Sequence, residues 1–216
     1  AAMESAGDTR FDIPESLQSS LLARLDQLGE AKSLAQVGAV IGREFSYELL
    51  PRVTGMEPAD LDGALSRIVK SGLVFQRGAP PDAVYTFKHA LVQDAAYNSL
   101  LRSRRRQLHG KIAKNIESMF PERAAADPEL LAHHYTEAGL AETAIEHWRR
   151  SGKRAAERSA NVEAIAHFSK GLDLLAQVAE SPEKDRRELA LRAGLGVPLS
   201  ATKGPGDLEN YDNYER

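Results

Sequence analysis

Apolar residues recur at helical spacing along most of the chain, interrupted once by strand-like alternation. Leu17, Leu21, Leu22, Leu25 and Leu28 share one helical face, and a second helix is predicted through Ala31, Leu34, Val37 and Val40, with Gly42 in a left-handed terminal position. A short segment over 45–53 ends near Gly55. Pro58 suits a first helical position, Leu61, Leu65, Ile68 and Val69 form one face behind it, and Gly72 is the stop. Residues 73–76 and 84–87 then predict two strands around a turn at 78–82. Three helices followed by strand, turn and strand is the order of a winged helix.

Beyond that point the periodicity is helical throughout. A helix over 90–101 precedes one carrying Leu108, Ile112, Ile116 and Phe120, and Pro121 with the acidic, alanine-rich 122–127 marks a boundary. Asp127-Pro128-Glu129 supplies a capping carboxylate, a proline at the first position and an acid that the helix dipole favours. Gly139 ends that helix, Asn161 is placed to cap a later one, and Ser181-Pro182-Glu183 starts another. Trp148, Gly152, Ala155, Ala164 and Phe168 fall at tetratricopeptide (TPR) spacing, with Ser151 where leucine is usual and Ala176 where proline is usual. A second frame fits Leu131, Ala132, Tyr135, Ala144 and Trp148. The frames are offset by 20 residues, against a standard repeat of roughly 34, so the helix around Trp148 is shared between them. These residues read as core packing of stacked antiparallel helices, TPR-like, with any function on the concave surface they create. From Gly196 onward Pro198, Gly204, Pro205 and Gly206 break the pattern.

The expected architecture is therefore mainly α: a flexible tail over 1–12, a winged-helix domain with its following helices over 13–120, a TPR-like helical domain over 121–196 and a poorly ordered tail over 197–216. A chain of 216 residues, 42% hydrophobic and 27% charged, is long enough for two small cores. No apolar stretch approaches the ~20 residues that span a bilayer. Cysteine is absent, which removes disulfides, thiolate metal sites and cysteine nucleophiles and is compatible with cytoplasm, the expected location. A net charge of -3 offers no global attraction to nucleic acid. Residues 1–8 lack the basic and apolar regions of a secretion signal, and the start reads as a cut within a longer chain.

Candidate chemistry is sparse. Neither a G-x-x-x-x-G-K-[ST] phosphate loop nor a complete dinucleotide fingerprint is present, and nothing resembles a nucleophile elbow, so no catalytic residue is assigned. His133, His134, His147 and His167 lack the three- or four-residue spacing that aligns ligands on a helix, so they read as solvated or core-edge histidines and no metal ligand is assigned. His89 lies between the predicted strand 84–87 and the next helix, at a helix N-terminus where unpaired N–H groups attract anions. It is a candidate phosphate contact; the alternative is a ring packed on the core.

Three ordered motifs carry a resemblance: Val40-Ile41-Gly42-Arg43-Glu44-Phe45-Ser46-Tyr47-Glu48-Leu49-Leu50, Phe87-Lys88-His89-Ala90-Leu91-Val92-Gln93-Asp94-Ala95-Ala96-Tyr97, and Leu130-Leu131-Ala132-His133-His134-Tyr135-Thr136-Glu137-Ala138-Gly139. Over 13–204 the chain resembles the C-terminal region of bacterial multidomain proteins in which an adenylate/guanylate cyclase domain is followed by a STAND-type AAA ATPase, a winged helix and TPR-like helices. The resemblance implies a non-catalytic regulatory module, with ATP or ADP and Mg held elsewhere in the parent protein and no cofactor in this fragment. It implies that His89 contacts nucleotide phosphates on the absent upstream ATPase domain, although the familiar Met-His-Asp is here Lys88-His89-Ala90. Arg43 and Phe45 match the Gly-Arg-Glu-Phe run as interdomain candidates; Phe45 reads as a core plug and Arg43 as paired with a carboxylate or facing the ATPase. The TPR-like helices would dock an unknown protein or peptide. The alternative is a DNA-binding transcriptional regulator with a helical sensor, invited by Arg102, Arg104, Arg105 and Arg106 after the wing, which read as the end of the helix containing Leu100 or as a solvated face. Glu57, Asp60 and Asp62 at the tip of the third helix argue against DNA.

Overall fold

In the computed structural model, which describes residues 15–204 and 207–215, the chain divides into two units between Leu100 and Leu101. The expected tail at 1–12 lies outside the described residues. The chain is mainly helical with one small antiparallel sheet, and among the described residues no helix is long and apolar enough to cross a membrane.

The first unit opens with α1 (Glu15–Asp26) and α2 (Ala31–Ile41), which bury Leu21, Leu25, Leu34, Val37 and Val40 at helical spacing. Gly42 ends α2 at φ 150°, a positive-φ extended conformation rather than the left-handed one expected, and equally one that a side chain disfavours. Strand β1 (Glu44–Ser46), a 3-10 turn (Tyr47–Leu49) and α3 (Leu50–Thr54) follow, then α4 (Pro58–Lys70), β2 (Val74–Arg77), β3 (Val84–Phe87) and α5 (Ala90–Asn98). The sheet order is β1-β3-β2, with Phe45 opposite Tyr85 and Val74 opposite Phe87. Three residues are too few to show a period-two pattern, so β1 is invisible to periodicity and only the two longer strands are legible.

The second unit contains α6 (Arg102–Met119), α7 (Pro121–Ala126), α8 (Pro128–Ala138), α9 (Ala141–Glu157), α10 (Asn161–Leu175), α11 (Pro182–Lys203) and α12 (Leu208–Glu215). The expected boundary near residue 120 is displaced: α6 belongs here because Leu108, Ile112, Ala113 and Ile116 bury their faces where α6 packs on α8. Consecutive helices from α8 to α12 pack on one another. The ring of Phe168 occupies the space left by two glycines, since a Cβ on Gly152 would lie 2.8 Å from it and one on Gly194 2.5 Å.

Two further expectations are corrected. The tail at 197–216 is not an irregular end: α11 continues through Gly196 and Pro198 to Lys203, and α12 docks on it, with Asn213 Nδ2 donating to the Arg192 carbonyl (2.9 Å) and Asn210 Nδ2 to Ser200 Oγ (2.7 Å). Pro198 removes only one backbone donor, toward the carbonyl of Gly194, and burial of Leu191, Leu195 and Leu199 outweighs that loss. Asn161 does not cap α10; it lies inside the helix, preceded by Ala160 with no side-chain cap.

Candidate functional site

Strand β3 ends at Phe87, buried at 1% exposure, and the chain then turns outward, so His89 caps α5 with extended backbone (φ −133°, ψ 142°) and an exposed side chain. Its carbonyl accepts from the Val92 amide (3.0 Å), leaving the imidazole free of the helix. The core-packed alternative for this ring does not fit an exposed side chain. Lys88 stands beside it with Nζ 4.5 Å from the centre of the Phe75 ring. A Cβ added to Gly72 (φ 74°) would meet Lys88 Nζ at 3.5 Å and Arg24 Nη2 at 4.0 Å, so two cations converge over the turn that ends α4. Arg24 Nη2 also donates to the Ser71 carbonyl (3.2 Å).

Phe45 is 2% exposed, stacks on Tyr85 (centroids 5.6 Å apart) and fills the space over Gly38, where a Cβ would fall 2.7 Å from its ring. The neighbouring Arg43 is exposed, and its carbonyl accepts from the Phe87 amide (3.0 Å). Along α4 the exposed residues begin with Glu57, Asp60 and Asp62, while Arg67 and Lys70 fall in the last turn. The arginine run does not end α5. It opens α6, where the helix dipole opposes it, and Arg106 Nε reaches the Ala138 carbonyl (3.3 Å) at the C-terminal end of α8.

Leu131, Tyr135, Ala144, Trp148, Gly152, Ala164 and Phe168 are all buried in the second unit. Around them runs an arrangement that periodicity did not reveal. His147 of α9 stacks on Tyr135 of α8 (5.3 Å) with its Nε2 3.5 Å from Glu117 of α6. His167 of α10 stacks on Trp148 of α9 (5.5 Å) with its Nε2 3.7 Å from Glu129 of α8. Both imidazoles are nine-tenths buried or more, both have an Nδ1 without a hydrogen-bond partner among the described residues, and burial pushes both below the usual histidine range, partly opposed by their carboxylates. The 20-residue spacing of these histidines equals the offset between the two repeat frames. Their aromatic and carboxylate partners do not share that offset, so what recurs is the kind of contact, an imidazole between an aromatic ring and a carboxylate, and not a full repeat of positions.

His109 and His134 form a second buried pair, Nδ1 to Nδ1 at 2.8 Å, with exposed His133 beside them. One neutral ring donates and the other accepts. Burial, then neighbouring His133 and Arg105, brings His109 down to about 4; burial, then His109 and His133, brings His134 down to about 3. The expectation of solvated or core-edge histidines holds for exposed His133 and is corrected for His134, His147 and His167, because the helix faces they occupy turn inward. Among the described residues no group of three or more His, Asp or Glu has metal-holding geometry.

Outside this core, a cleft of about 410 Å³ opens between the end of α6, α7, the start of α8 and α9. Its walls carry Arg150, Lys153 and Arg154 at helical spacing on α9, Glu117, Glu157 and His147, over Pro121, Ala124 and Leu131. Tyr135 donates its hydroxyl to Glu117 Oε2 (2.7 Å), and burial, then this bond and the Glu117 charge, raises the phenol's pKa. The i, i+3, i+4 spacing of the three cations was the readable signal, masked by the apolar periodicity of the opposite face.

No family model matches the chain, and no solved structure matches it. An uncharacterized protein of Rhizobium meliloti (strain 1021) is 31% identical over 202 residues, 93% of this chain. The chain spans 19% of that relative's length.

Proposed function

We propose that this chain is a regulatory and docking portion of a larger signalling protein, a winged helix followed by a TPR-like helical arm, attached to a STAND-type ATPase and an adenylate/guanylate cyclase. The observation that carries the reading is His89: an exposed imidazole at the N-terminus of α5, next in sequence to Lys88, where a phosphate could accept from it. Element order and the β1-β3-β2 sheet support a winged helix, and the one-helix repeat around Tyr135, Trp148 and Phe168 supports a stacked helical arm. The matching region of the relative is likewise a minor part of a much longer chain.

In this reading the winged helix folds back on the ATPase domain, and His89 adds a contact available only in the closed, ADP-bound arrangement. Losing it shifts the population toward the open form. Replacing His89 with alanine in the full-length parent should weaken ADP retention and raise basal cyclase output. Unchanged retention and unchanged output would overturn the proposal. The acidic start of α4 disfavours the DNA-binding alternative, because exposed Glu57, Asp60 and Asp62 repel phosphates.

A further inference from the structure

We propose that the cleft beside α9 binds a short peptide segment bearing carboxylates next to an apolar side chain. This deepens the docking role assigned to the helical unit and rests on it. Three observations converge. Exposed Pro121 and Ala125 in the lining, backed by buried Ala124 and Leu131, offer apolar surface to a side chain of modest size. The cations Arg150, Lys153 and Arg154 line the same cleft. Their charge is incompletely matched: Arg150 shares Glu146 with Arg149, Lys153 stands 3.9 Å from Glu157, and Arg154 donates only to the Ala125 carbonyl (3.4 Å) among the described residues.

The anionic members of the cleft set an upper limit on ligand charge. Glu117 is held by the Tyr135 hydroxyl and lies against His147, while Glu157 stands at the exposed end of the cation row, 3.9 Å from Lys153. Two carboxylates in so small a space repel a dense polyphosphate backbone, yet leave Arg154 and Arg150 able to donate to one or two isolated carboxylates. His147, 4% exposed, lines the same cleft, so an occupant that covers Glu117 also seals the nearby buried imidazole from water.

The test uses the whole 216-residue chain, isotope-labelled, and three fluorescein-tagged hexapeptides in which leucine alternates with glutamate, glutamine or lysine. Anisotropy gives affinity and amide shifts give location. The glutamate peptide should bind at the cleft, at least tenfold more tightly than the glutamine peptide, weaken as salt rises, and lose at least tenfold on Arg154→Glu with a smaller loss on Arg154→Gln. Native Trp148 emission checks that both variants remain folded. Equal binding of the glutamine peptide, unchanged affinity in folded Arg154→Glu, or displacement by a single-stranded oligonucleotide overturns the acidic ligand. Preferred binding of the lysine peptide at the same amides also overturns it, while leaving the helical unit a docking arm. If no peptide moves any amide of the second unit, the acidic ligand and the docking reading of this cleft both fall.

Discussion

Phe45 in the first unit and Phe168 in the second fill spaces that glycine leaves, over Gly38 in one case and between Gly152 and Gly194 in the other. Around these rings the interiors differ. Among the described residues every buried polar or charged side chain, His109, His134, His147, His167, Ser151, Asn210 and Asn213, lies in the second unit. The first, apart from the phenol of Tyr85, keeps its interior apolar, and its candidate contacts, Arg43 and His89, are exposed. A core without buried imidazoles holds an outward-facing site without responding to mild acid, whereas a core containing neutral imidazoles is sensitive to protons.

The largest effect that can break this comparison comes from removing either ring. Phe168→Ala should cost the second unit about 3–5 kcal/mol and Phe45→Ala should cost the first a similar amount, through lost burial and a cavity between helices or strands. The single tryptophan, Trp148, is in the second unit, so its emission reads that unit while far-ultraviolet circular dichroism reads both. In urea, Phe168→Ala should move the tryptophan transition and Phe45→Ala should move only part of the dichroism. Equal movement of one common transition by both variants would show a single cooperative block.

Acid should separate the units next, by a few kcal/mol. An unfolded imidazole titrates near 6.5, whereas His109 and His134 in the fold take protons only at about 4 and about 3. Between those values the unfolded chain binds more protons than the folded one. Stability of the second unit is therefore complete above about pH 6.5 and falls as pH drops, by on the order of one kcal/mol per pH unit for each titrating histidine. His147 and His167 act in the same direction, with Glu117 and Glu129 moderating them. The groups facing the 109/134 pair are His133 and Arg105, which add to the penalty on its charged forms. Urea titrations followed by Trp148 emission at several pH values between 7 and 4.5 should show a steep loss, and the double replacement His109→Leu with His134→Leu should flatten it, since both hydrogen-bond partners are removed together. An unchanged slope in that variant would assign the pH sensitivity elsewhere.

How far the two units were legible follows from the same contrast. Local signals survived: Gly72 and Gly139 stop their helices at positive φ, and Asp127 and Ser181 cap theirs. The aromatic and small residues of both repeat frames are buried, because burial of a helix face is written every three or four positions. The placement of α6 was not legible, because its apolar stripe says that it packs and not on what. Nor was the 109/134 pair, whose members lie 25 residues apart and meet only through the packing of α6 on α8. Continuation of α11 past Pro198 likewise depends on tertiary burial rather than on local propensity. Of the candidate site, the position of His89 at the start of α5 was readable, but the approach of Arg24 to Lys88 over Gly72 depends on three separate segments.

The smallest predicted effect sharpens the contrast between two helix starts within the second unit. Asp127 and Asn161 are both residue types that cap helices, and both were read as caps. Only Asp127 occupies the position before its helix, where one carboxylate oxygen accepts the Leu130 amide at 3.2 Å and Pro128 follows at the first turn. Asn161 stands one residue too late, as the first residue of α10 and not before it, so its side chain is out of register for the cap and the helix starts without one. Asp127→Ala should therefore destabilise the second unit by about 1 kcal/mol, while Asn161→Ala should change it by no more than a few tenths or stabilise it slightly through higher helix propensity. Thermal melts of the two variants, followed by Trp148 emission, separate these outcomes. Equal losses would mean that residue type rather than register decides the start of α10.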